Sequence, residues 1–338
     1  MFVLKKAKIV GTGSYLPEKV LTNQALEKMV DTSDEWIVSR TGMKERRIAR
    51  EDEFTSDMGY EAAVKALEDA EITADDVDFI LVATLTPDYT FPSTACLLQA
   101  RLKADKAAAM DIQAACTGYL YALALAKSFV ESGMYNTVLI VASEKLSSIV
   151  NYKDRNTCIL FGDGASACVV SSRSKKRSLC LSNVRLGADG TLSDLLILPA
   201  GGAKAPASVD TLAADMHYLK MEGKEVFKHA VRRMEAASKE CMDQLGLEEK
   251  DINWIVPHQA NMRIIEAIAK RFNVSMEKVY ITIHKYGNTS ASSVGIALDE
   301  LLKEKELQVG DNLLLTAFGA GLTWGAAILT VEGEDESS

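Results

Sequence analysis

The 338-residue sequence lacks the features of several protein classes. It has no apolar run near the roughly 20 residues that a membrane-spanning helix needs, and its start lacks the apolar core of a secretory signal. Its six cysteines form no Cys-x-x-Cys pair, and none stands at a metal-binding spacing from any of the four histidines. We therefore expect a cytoplasmic protein with reduced thiols, no metal site and no membrane partner.

Positive charge is also scarce. Lys and Arg number 38 against 47 Asp and Glu, so the net charge is −9. This balance argues against a nucleic-acid partner held by bulk electrostatic attraction, and any anionic partner has to bind a local basic patch. The hydrophobic fraction of 48% is typical of a globular protein, and the length predicts two domains or one doubled unit.

An internal repeat organises the chain. At an offset of 175 residues, VDFILVAT (77–84) aligns with INWIVPHQ (252–259), and NTVLIVASE (136–144) aligns with DNLLLTAFG (311–319). Both windows share one offset, which indicates two similar halves rather than a chance match.

Each half has the pattern of an α/β protein with a buried sheet. In the first half, strand MDIQAA leads into helix CTGYLYALALAKSFVES and strand TVLIVAS. In the second half, strand VYITIH leads through KYGN into helix TSASSVGIALDELLKEK and strand NLLLTAF. We predict an N-terminal half over 1–175, a C-terminal half over 176–332 and an acidic tail over 333–338.

Cys116 occupies a position that suits a nucleophile. It follows strand MDIQAA and opens a predicted helix, so its sulfur would lie among the unpaired N–H groups of the helix start. Such a position lowers the pKa of a thiol and favours the thiolate. We interpret Cys116 as the candidate nucleophile and the other five cysteines as structural.

Two further polar residues have comparable positions. His258 ends strand INWIVP, and Asn288 lies in the turn KYGN between a predicted strand and helix. Ligands of open α/β sheets bind at the C-terminal ends of strands, so we expect Cys116, His258 and Asn288 to converge. Papain-like amidases have the same residue order, and the 142 residues between Cys116 and His258 fit their spacing. However, no CGSCW surrounds Cys116, and the doubled α/β pattern does not fit that family.

The motifs around these residues resemble one enzyme superfamily. DIQAACTGYLYAL, FGDGA, WIVPHQANMRII and HKYGNTSASS occur in the order found in thiolase-superfamily condensing enzymes, and they most resemble the β-ketoacyl-acyl-carrier-protein synthase III family. TSDEWIVSRTGMKERRI and FGAGLTWGAA also match, so the resemblance covers nearly the whole chain. It implies an α/β, thiolase-like fold with five αβαβα layers and two similar halves, and a homodimer.

The resemblance also implies a reaction, a decarboxylative Claisen condensation that initiates type II fatty acid synthesis. Cys116 would take an acyl group from a short acyl-CoA as a thioester. His258 and Asn288 would donate hydrogen bonds to the thioester oxygen of malonyl-acyl carrier protein and stabilise the enolate left by loss of carbon dioxide. The N–H groups of Cys116 and Ala320 would form the oxyanion hole. No cofactor is implied, since CoA enters as part of the substrate.

Binding roles follow from the same resemblance. Trp36 and Arg155 would flank the CoA adenine, and Arg40 would contact its phosphates. The implied CoA-binding residues are Trp36, Arg40, Arg155 and Asn261, and the implied acyl-pocket residues are Phe91 and Phe161.

Two positions depart from the family pattern. Ala320 stands where many relatives have glycine, and alanine suits the position if its φ angle is negative, because only its N–H is needed. Lys224 stands where asparagine is usual beside the path of the pantetheine arm.

Basic residues on two predicted helices are candidates to bind the acidic carrier protein. Lys224, Lys228 and Arg232 recur at four-residue spacing and therefore share one helix face. On the next helix, Arg263 and Lys270 are seven residues apart, with Arg271 adjacent. The resemblance places carrier docking near these positions.

Two alternatives within the same fold stay open. One is an acyltransferase that uses another acyl acceptor, and the other is a non-catalytic acyl-CoA-binding protein. The second would be expected to lack Cys116 or Asn288, and the sequence has both.

Overall fold

A computed structural model describes residues 5–173 and 177–333 of the chain. The predicted boundary at residue 175 and residues 334–338 of the predicted tail lie outside the described residues. The strands are β1 (Lys8–Tyr15), β2 (Lys19–Thr22), β3 (Glu45–Ile48), β4 (Phe79–Ala83), β5 (Ala108–Ile112), β6 (Thr137–Glu144), β7 (Gly164–Ser171), β8 (Arg177–Ala188), β9 (Leu196–Ile197), β10 (Lys220–Met221), β11 (Ile252–Pro257), β12 (Asn312–Gly319) and β13 (Thr323–Gly333). The helices are α1 (Asn23–Leu26), α2 (Asp34–Thr41), α3 (Thr55–Asp69), α4 (Thr94–Leu102), α5 (Gly118–Glu131), α6 (Arg155–Cys158), α7 (Val209–Ala213), α8 (Gly223–Asp243), α9 (Met262–Arg271), α10 (Ile283–Tyr286) and α11 (Ser292–Glu304). Within the described ranges, no helix has the length and apolar character needed to cross a membrane.

Nine strands form one hydrogen-bonded sheet that consists of two sheets joined by a narrow contact. Their order is β11-β12-β13-β8-β1-β7-β6-β4-β5. At the joint, β1 pairs with β8 at two positions, Lys8 with Cys180 and Ile9 with Leu179. By contrast, β8 pairs with β13 along its whole length. The joint therefore separates an N-terminal sheet, β5-β4-β6-β7-β1, from a C-terminal sheet, β8-β13-β12-β11.

Alternating side chains along these strands produce five layers. On β4, Ile80 packs with α3 and α4, whereas Leu81 faces the central helices α5 and α11. On β12, Leu315 joins the same central core, whereas Leu314 packs with α8 and α9. The order of layers is α3/α4, N-terminal sheet, α5/α11, C-terminal sheet and α8/α9. The predicted αβαβα fold is confirmed.

The strand pairs aligned by the internal repeat have the same register. Strands β4 and β6 are parallel, with Phe79 opposite Val138, and strands β11 and β12 are parallel, with Trp254 opposite Leu313. Corresponding residues of the two pairs differ by the 175-residue offset of the sequence repeat. The two halves therefore share one strand-pair geometry, while the exact domain boundaries stay a prediction.

One predicted strand, VYITIH, is wrong. Val279 forms a single bridge with β11. The N–H groups of Thr282 and Ile283 then donate to the side-chain Oε1 of Gln259, at 2.9 and 3.1 Å. These bonds turn the chain into α10 instead of extending the strand, so Asn288 follows a short helix.

The two central helices begin next to each other and next to the candidate residues. Helix α5 begins at Gly118, directly after the turn that holds Cys116, and α11 begins shortly after Asn288. A Cβ atom added at Gly118 would lie 3.0 Å from the Cβ of Ala83 and 3.3 Å from the Cβ of Ala291. This close contact brings the Cys116 turn against the segment that carries Asn288.

Candidate active site

Cys116, His258 and Asn288 line one cavity of about 920 Å³. The structure thus brings together three side chains that the sequence places far apart. Exposed basic residues line its outer end: Arg40, Lys220, Lys224, Lys228 and Arg263. Two acidic residues, Asp154 and Glu222, also line the cavity, so in a chain of net charge −9 its lining has a net positive charge.

Cys116 lies in a tight turn, Ala115–Thr117, between β5 and α5. Ala115 has a φ angle of 45°, in the left-handed region that non-glycine residues rarely adopt. The Thr117 hydroxyl stabilises the turn through contacts of 2.6 Å with the Ala114 carbonyl and 2.7 Å with the Thr323 hydroxyl. A Cβ atom added at Gly319 would lie 2.8 Å from the Cys116 nitrogen, so the end of β12 requires glycine there.

Cys116 is buried, and burial raises the pKa of its thiol to about 12. The expectation that the helix start lowers this pKa is therefore wrong. Removal from water destabilises the thiolate by more than the helix N-terminus stabilises it. Cys116 is a thiol at neutral pH and has to lose its proton during any acyl transfer. Among the other cysteines, Cys96 is exposed and the remaining four are buried.

His258 is a buried, neutral imidazole. Burial lowers its pKa to about 3. Its Nδ1 lies 2.6 Å from the Ser293 hydroxyl, which also accepts the Gln259 N–H at 3.3 Å. When this hydroxyl donates to Nδ1, the ring carries its own proton on Nε2. The Nε2–H group is then the donor available to a ligand.

Asn288 is fixed on three sides. Its backbone N–H donates to the Leu160 carbonyl at 2.9 Å, and its carbonyl accepts the Gly162 N–H at 3.0 Å. Its side-chain Oδ1 accepts the Ser290 N–H at 2.8 Å, across a turn in which Ser290 has a φ angle of 52°. This arrangement engages the amide oxygen and leaves the Nδ2 hydrogens to bind a ligand.

Trp36 stands between two arginines at the outer part of the site. The Arg40 guanidinium lies 4.7 Å from the ring centroid, and that of Arg155 lies 4.8 Å from it. Arg155 also donates to the Asp31 carbonyl at 2.8 Å. A flat aromatic ligand can enter between Trp36 and Arg155 only if Arg155 moves away from the ring. Asn261 lines the cavity and caps α9 by accepting the Arg263 N–H.

Two family profiles match the chain. The profile of 3-oxoacyl-(acyl-carrier-protein) synthase III matches residues 110–190, and the profile of its C-terminal part matches residues 242–331. The β-ketoacyl-(acyl-carrier-protein) synthase III of Chlamydia trachomatis serovar D is 61% identical over 324 residues, which cover 96% of this chain and 99% of that protein. The protein of the same name from Caldanaerobacter subterraneus subsp. tengcongensis is 55% identical, covering 96% of this chain and 97% of its own.

Solved structures agree with these matches. The crystal structure of 3-oxoacyl-(acyl-carrier-protein) synthase III from Aquifex aeolicus has a TM-score of 0.87 at 48% identity, covering 96% of this chain and 99% of that one. The chain belongs to the β-ketoacyl-acyl-carrier-protein synthase III family. It is an acyltransferase of the condensing type, and its function is the condensation of an acyl-CoA with malonyl-acyl carrier protein that initiates fatty acid synthesis. The papain-like interpretation is excluded by this family and fold.

Three residues that the resemblance singles out give contrasting results in this member of the synthase III family. Phe161 is buried and lines the cavity. Phe91 is 84% exposed and does not line the cavity. Within one chain, it therefore does not form part of the acyl pocket as predicted. Ala320 is not among the positive-φ residues of the described ranges, which meets the condition for replacing glycine there.

Sequence reasoning missed the residues that orient the synthase III donors. Ser293 and Gln259 act on His258 and on its flanking backbone, and Ser290 acts on Asn288. These residues lie inside the motifs HQAN and GNTSASS. However, neither hydrophobic periodicity nor motif spacing predicts a contact between side chains 35 positions apart, such as that between His258 and Ser293. A serine near the start of a helix also has ordinary local roles.

The lowered pKa of His258 predicts a pH-dependent stability. Because the folded-state pKa of about 3 lies below the ordinary value of 6.5, the unfolded chain binds a proton between these values that the folded chain does not. Stability therefore decreases as the pH falls through this window, by up to about 1.4 kcal/mol per pH unit for this one group. Urea unfolding of the wild type and a His258→Gln variant at several pH values measures the difference. Parallel stability curves for the two proteins would contradict a neutral His258.

Proposed function

We propose that the condensation proceeds in two half-reactions through an acyl-Cys116 thioester. The observation that carries this proposal is the convergence of one buried thiol and two neutral hydrogen-bond donors in a single cavity. The proposed steps use no metal, flavin or nicotinamide.

In the first half-reaction, a short acyl-CoA would enter from the basic end of the cavity. The cationic side chains of Arg40 and Lys224 suit the CoA phosphates, and the face of Trp36 suits the adenine once Arg155 has moved. Cys116 attacks the thioester carbonyl, and CoA leaves. Backbone N–H groups of Cys116 and Ala320 are the proposed donors to the oxyanion.

In the second half-reaction, malonyl-acyl carrier protein would deliver its malonyl thioester to the same cavity. The Nε2–H of His258 and the Nδ2–H of Asn288 are the proposed donors to its thioester oxygen. Loss of carbon dioxide leaves an enolate on that oxygen, and fixed donors stabilise the new charge without having to reorganise. The carbanion then attacks the acyl-Cys116 carbonyl, and the thiolate of Cys116 leaves.

The two half-reactions predict different defects. Cys116→Ala should abolish condensation and retain some decarboxylation of the malonyl thioester. His258→Ala and Asn288→Ala should each lose decarboxylation by about 10²-fold or more, because a preformed donor is worth roughly 3 kcal/mol in the transition state, and should keep much of the acyl transfer. Release of carbon dioxide and the intact mass of the acyl-enzyme measure the two steps separately. Decarboxylation at the wild-type rate in both donor variants would show that the donors are misassigned.

A basic surface beside the cavity is the proposed docking site of the carrier protein. Lys228 and Arg263 line the opening of the cavity. Three more exposed residues on the same two helices extend the surface: Arg232, Lys270 and Arg271. Arg271 lies 3.3 Å from Glu235, so part of its charge is already compensated. Lys228 likewise lies 2.7 Å from Glu225, so Arg263 is the strongest candidate and Lys228 the next, because both line the opening.

Charge reversal at Lys228 or Arg263 should slow association with malonyl-acyl carrier protein and flatten its salt dependence, because exposed interface charges act mainly on the association rate. Lys250→Glu makes the same charge change at an exposed lysine that pairs with Glu248 outside the cavity, and it serves as the control. Acylation of Cys116 by free acyl-CoA should be affected less at Lys228. Steady-state kinetics across a salt series measure these effects. An unchanged KM and an unchanged salt dependence in both variants would show that this surface does not bind the carrier protein. A preference of the wild type for free malonyl-CoA over malonyl-acyl carrier protein would favour the alternative of an acyltransferase that uses another acyl acceptor.

We propose that two copies of the chain associate through the N-terminal sheet. Strand β5 is the end strand of the described sheet, and its residues are largely half-buried. Beside it the loop before α4 exposes Tyr89 and Phe91 at 60% and 84%. An uncovered edge strand with apolar neighbours is prone to pair with another chain. In a dimer, Phe91 of one copy can contribute to the acyl pocket of the other.

Sedimentation velocity should therefore show a dimer, and Phe91→Asp should weaken it. A monomeric wild type at micromolar concentration would contradict the dimer.

A further inference from the structure

A buried acid that the two half-reactions do not use lies beneath the nucleophile. Glu144, at the C-terminal end of β6, is fully buried. Its Oε2 accepts hydrogen bonds from the hydroxyls of Thr84 and Thr86 at 3.1 and 2.7 Å and from the N–H groups of Leu85 and Thr86 at 3.0 and 3.2 Å. Its Oε1 has no hydrogen-bond partner in the described structure. One carboxylate oxygen is thus anchored and the other is free to exchange a proton.

The Ser290 hydroxyl lies between this acid and the nucleophile. It is buried and makes no hydrogen bond of ordinary geometry within the described residues. It is close enough to the Cys116 thiol and the Glu144 carboxyl to lower the pKa of each, although neither contact has the geometry of a hydrogen bond. The left-handed backbone of Ser290 and the bond from its N–H to Asn288 hold the residue in this position. A hydroxyl can accept one proton while it donates another, so it can connect the two groups.

A proton shift within this cluster keeps the number of buried charges at one. The titratable group that faces it is Cys116, and the negative charge of Glu144 raises the pKa of that thiol. The neighbouring Lys145 side chain points elsewhere, to the carbonyls of Arg50 and Glu53 at 2.8 and 2.7 Å. Burial raises the pKa of Glu144 to about 7. Moving a proton from Cys116 to Glu144 shifts one buried negative charge from the carboxylate to the sulfur. It creates no second buried charge, and a second charge would be strongly disfavoured at this depth.

We propose that Glu144 accepts the Cys116 proton through the Ser290 hydroxyl and stores it while Cys116 carries the acyl group. This inference rests on the proposed acyl-Cys116 intermediate. In the first half-reaction, the S–H bond of Cys116 breaks, Ser290 takes that proton and passes its own to Oε1 of Glu144. The sulfur forms its bond to the acyl carbon, and CoA leaves as a thiolate that takes a proton from water.

The second half-reaction returns the stored proton. The enolate attacks the acyl carbonyl, the C–S bond breaks, and Cys116 leaves as a thiolate. Glu144 then gives its proton to Ser290, which protonates the sulfur, so the resting thiol and carboxylate are restored. His258 is a poor substitute as the base, because its pKa is lowered to about 3 and its Nδ1 contacts the Ser293 hydroxyl.

The test is the pH profile of single-turnover acylation of Cys116 by acetyl-CoA, read by intact mass. In the wild type, the rate should rise with pH as Glu144 ionises and then level off. Glu144→Gln keeps the size and the anchoring acceptor but cannot take a proton, and Ser290→Ala breaks the connection. Both should be slower by about 10²-fold at neutral pH and should rise with pH without levelling off. The double variant should be no slower than either single variant.

Two controls separate proton storage from a structural role. Ser292→Ala removes a buried hydroxyl of the same segment that bonds the Thr289 carbonyl at 2.9 Å, and it should acylate at the wild-type rate. Decarboxylation of the malonyl thioester depends on His258 and Asn288, so it should stay within about twofold in the Glu144 and Ser290 variants.

Wild-type pH profiles in both variants, or an equal loss of decarboxylation, would overturn the relay. If Glu144→Gln does not fold, the pH profile of acylation in Ser290→Ala alone tests the relay. Failure of the wild type itself to acylate Cys116 would contradict the proposed function rather than the relay.

Discussion

Exclusion of water from the base of the cavity determines the protonation state of the groups that meet there. Burial raises the pKa of Cys116, lowers that of His258 and raises that of Glu144. All three shifts favour the neutral form, because a charge at this depth loses its hydration. In the proposed mechanism, negative charge develops on the enolate and on the leaving thiolates of CoA and Cys116. A dry site with fixed neutral donors stabilises such a transient charge more strongly than water does.

The layered fold holds this site in a strained backbone. Ala115 and Ser290 both adopt positive φ angles beside the functional residues. Strain of this kind costs about 1–3 kcal/mol per residue and persists only where the surrounding packing imposes it. Here the packing comes from the close starts of the two central helices at Gly118 and from the approach of Gly319 to the Cys116 nitrogen. The central helices and β12 thus position the thiol and the donors against one another.

The sequence predicts the features that depend on periodicity and order along the chain. The internal repeat predicts two similar halves, and their strand pairs do share one register. Contacts between distant side chains carry no such signal. The Gln259 side chain converts the predicted strand VYITIH into a turn and a short helix, and burial reverses the expected pKa shift of Cys116. The exposure of Phe91 likewise follows from how the loop before α4 leaves the sheet, which no local pattern reveals.

The central claim is that one cysteine carries the acyl group between two substrates. Peptide mapping of the wild-type enzyme after a pulse of radiolabelled acyl-CoA tests it most directly when malonyl-acyl carrier protein is then added as a chase. The account predicts that the label first resides on the peptide containing Cys116 and then moves into 3-oxoacyl-acyl carrier protein, with release of one carbon dioxide for each label transferred. Label on another peptide, or label that stays on Cys116 while carbon dioxide is released, would contradict it.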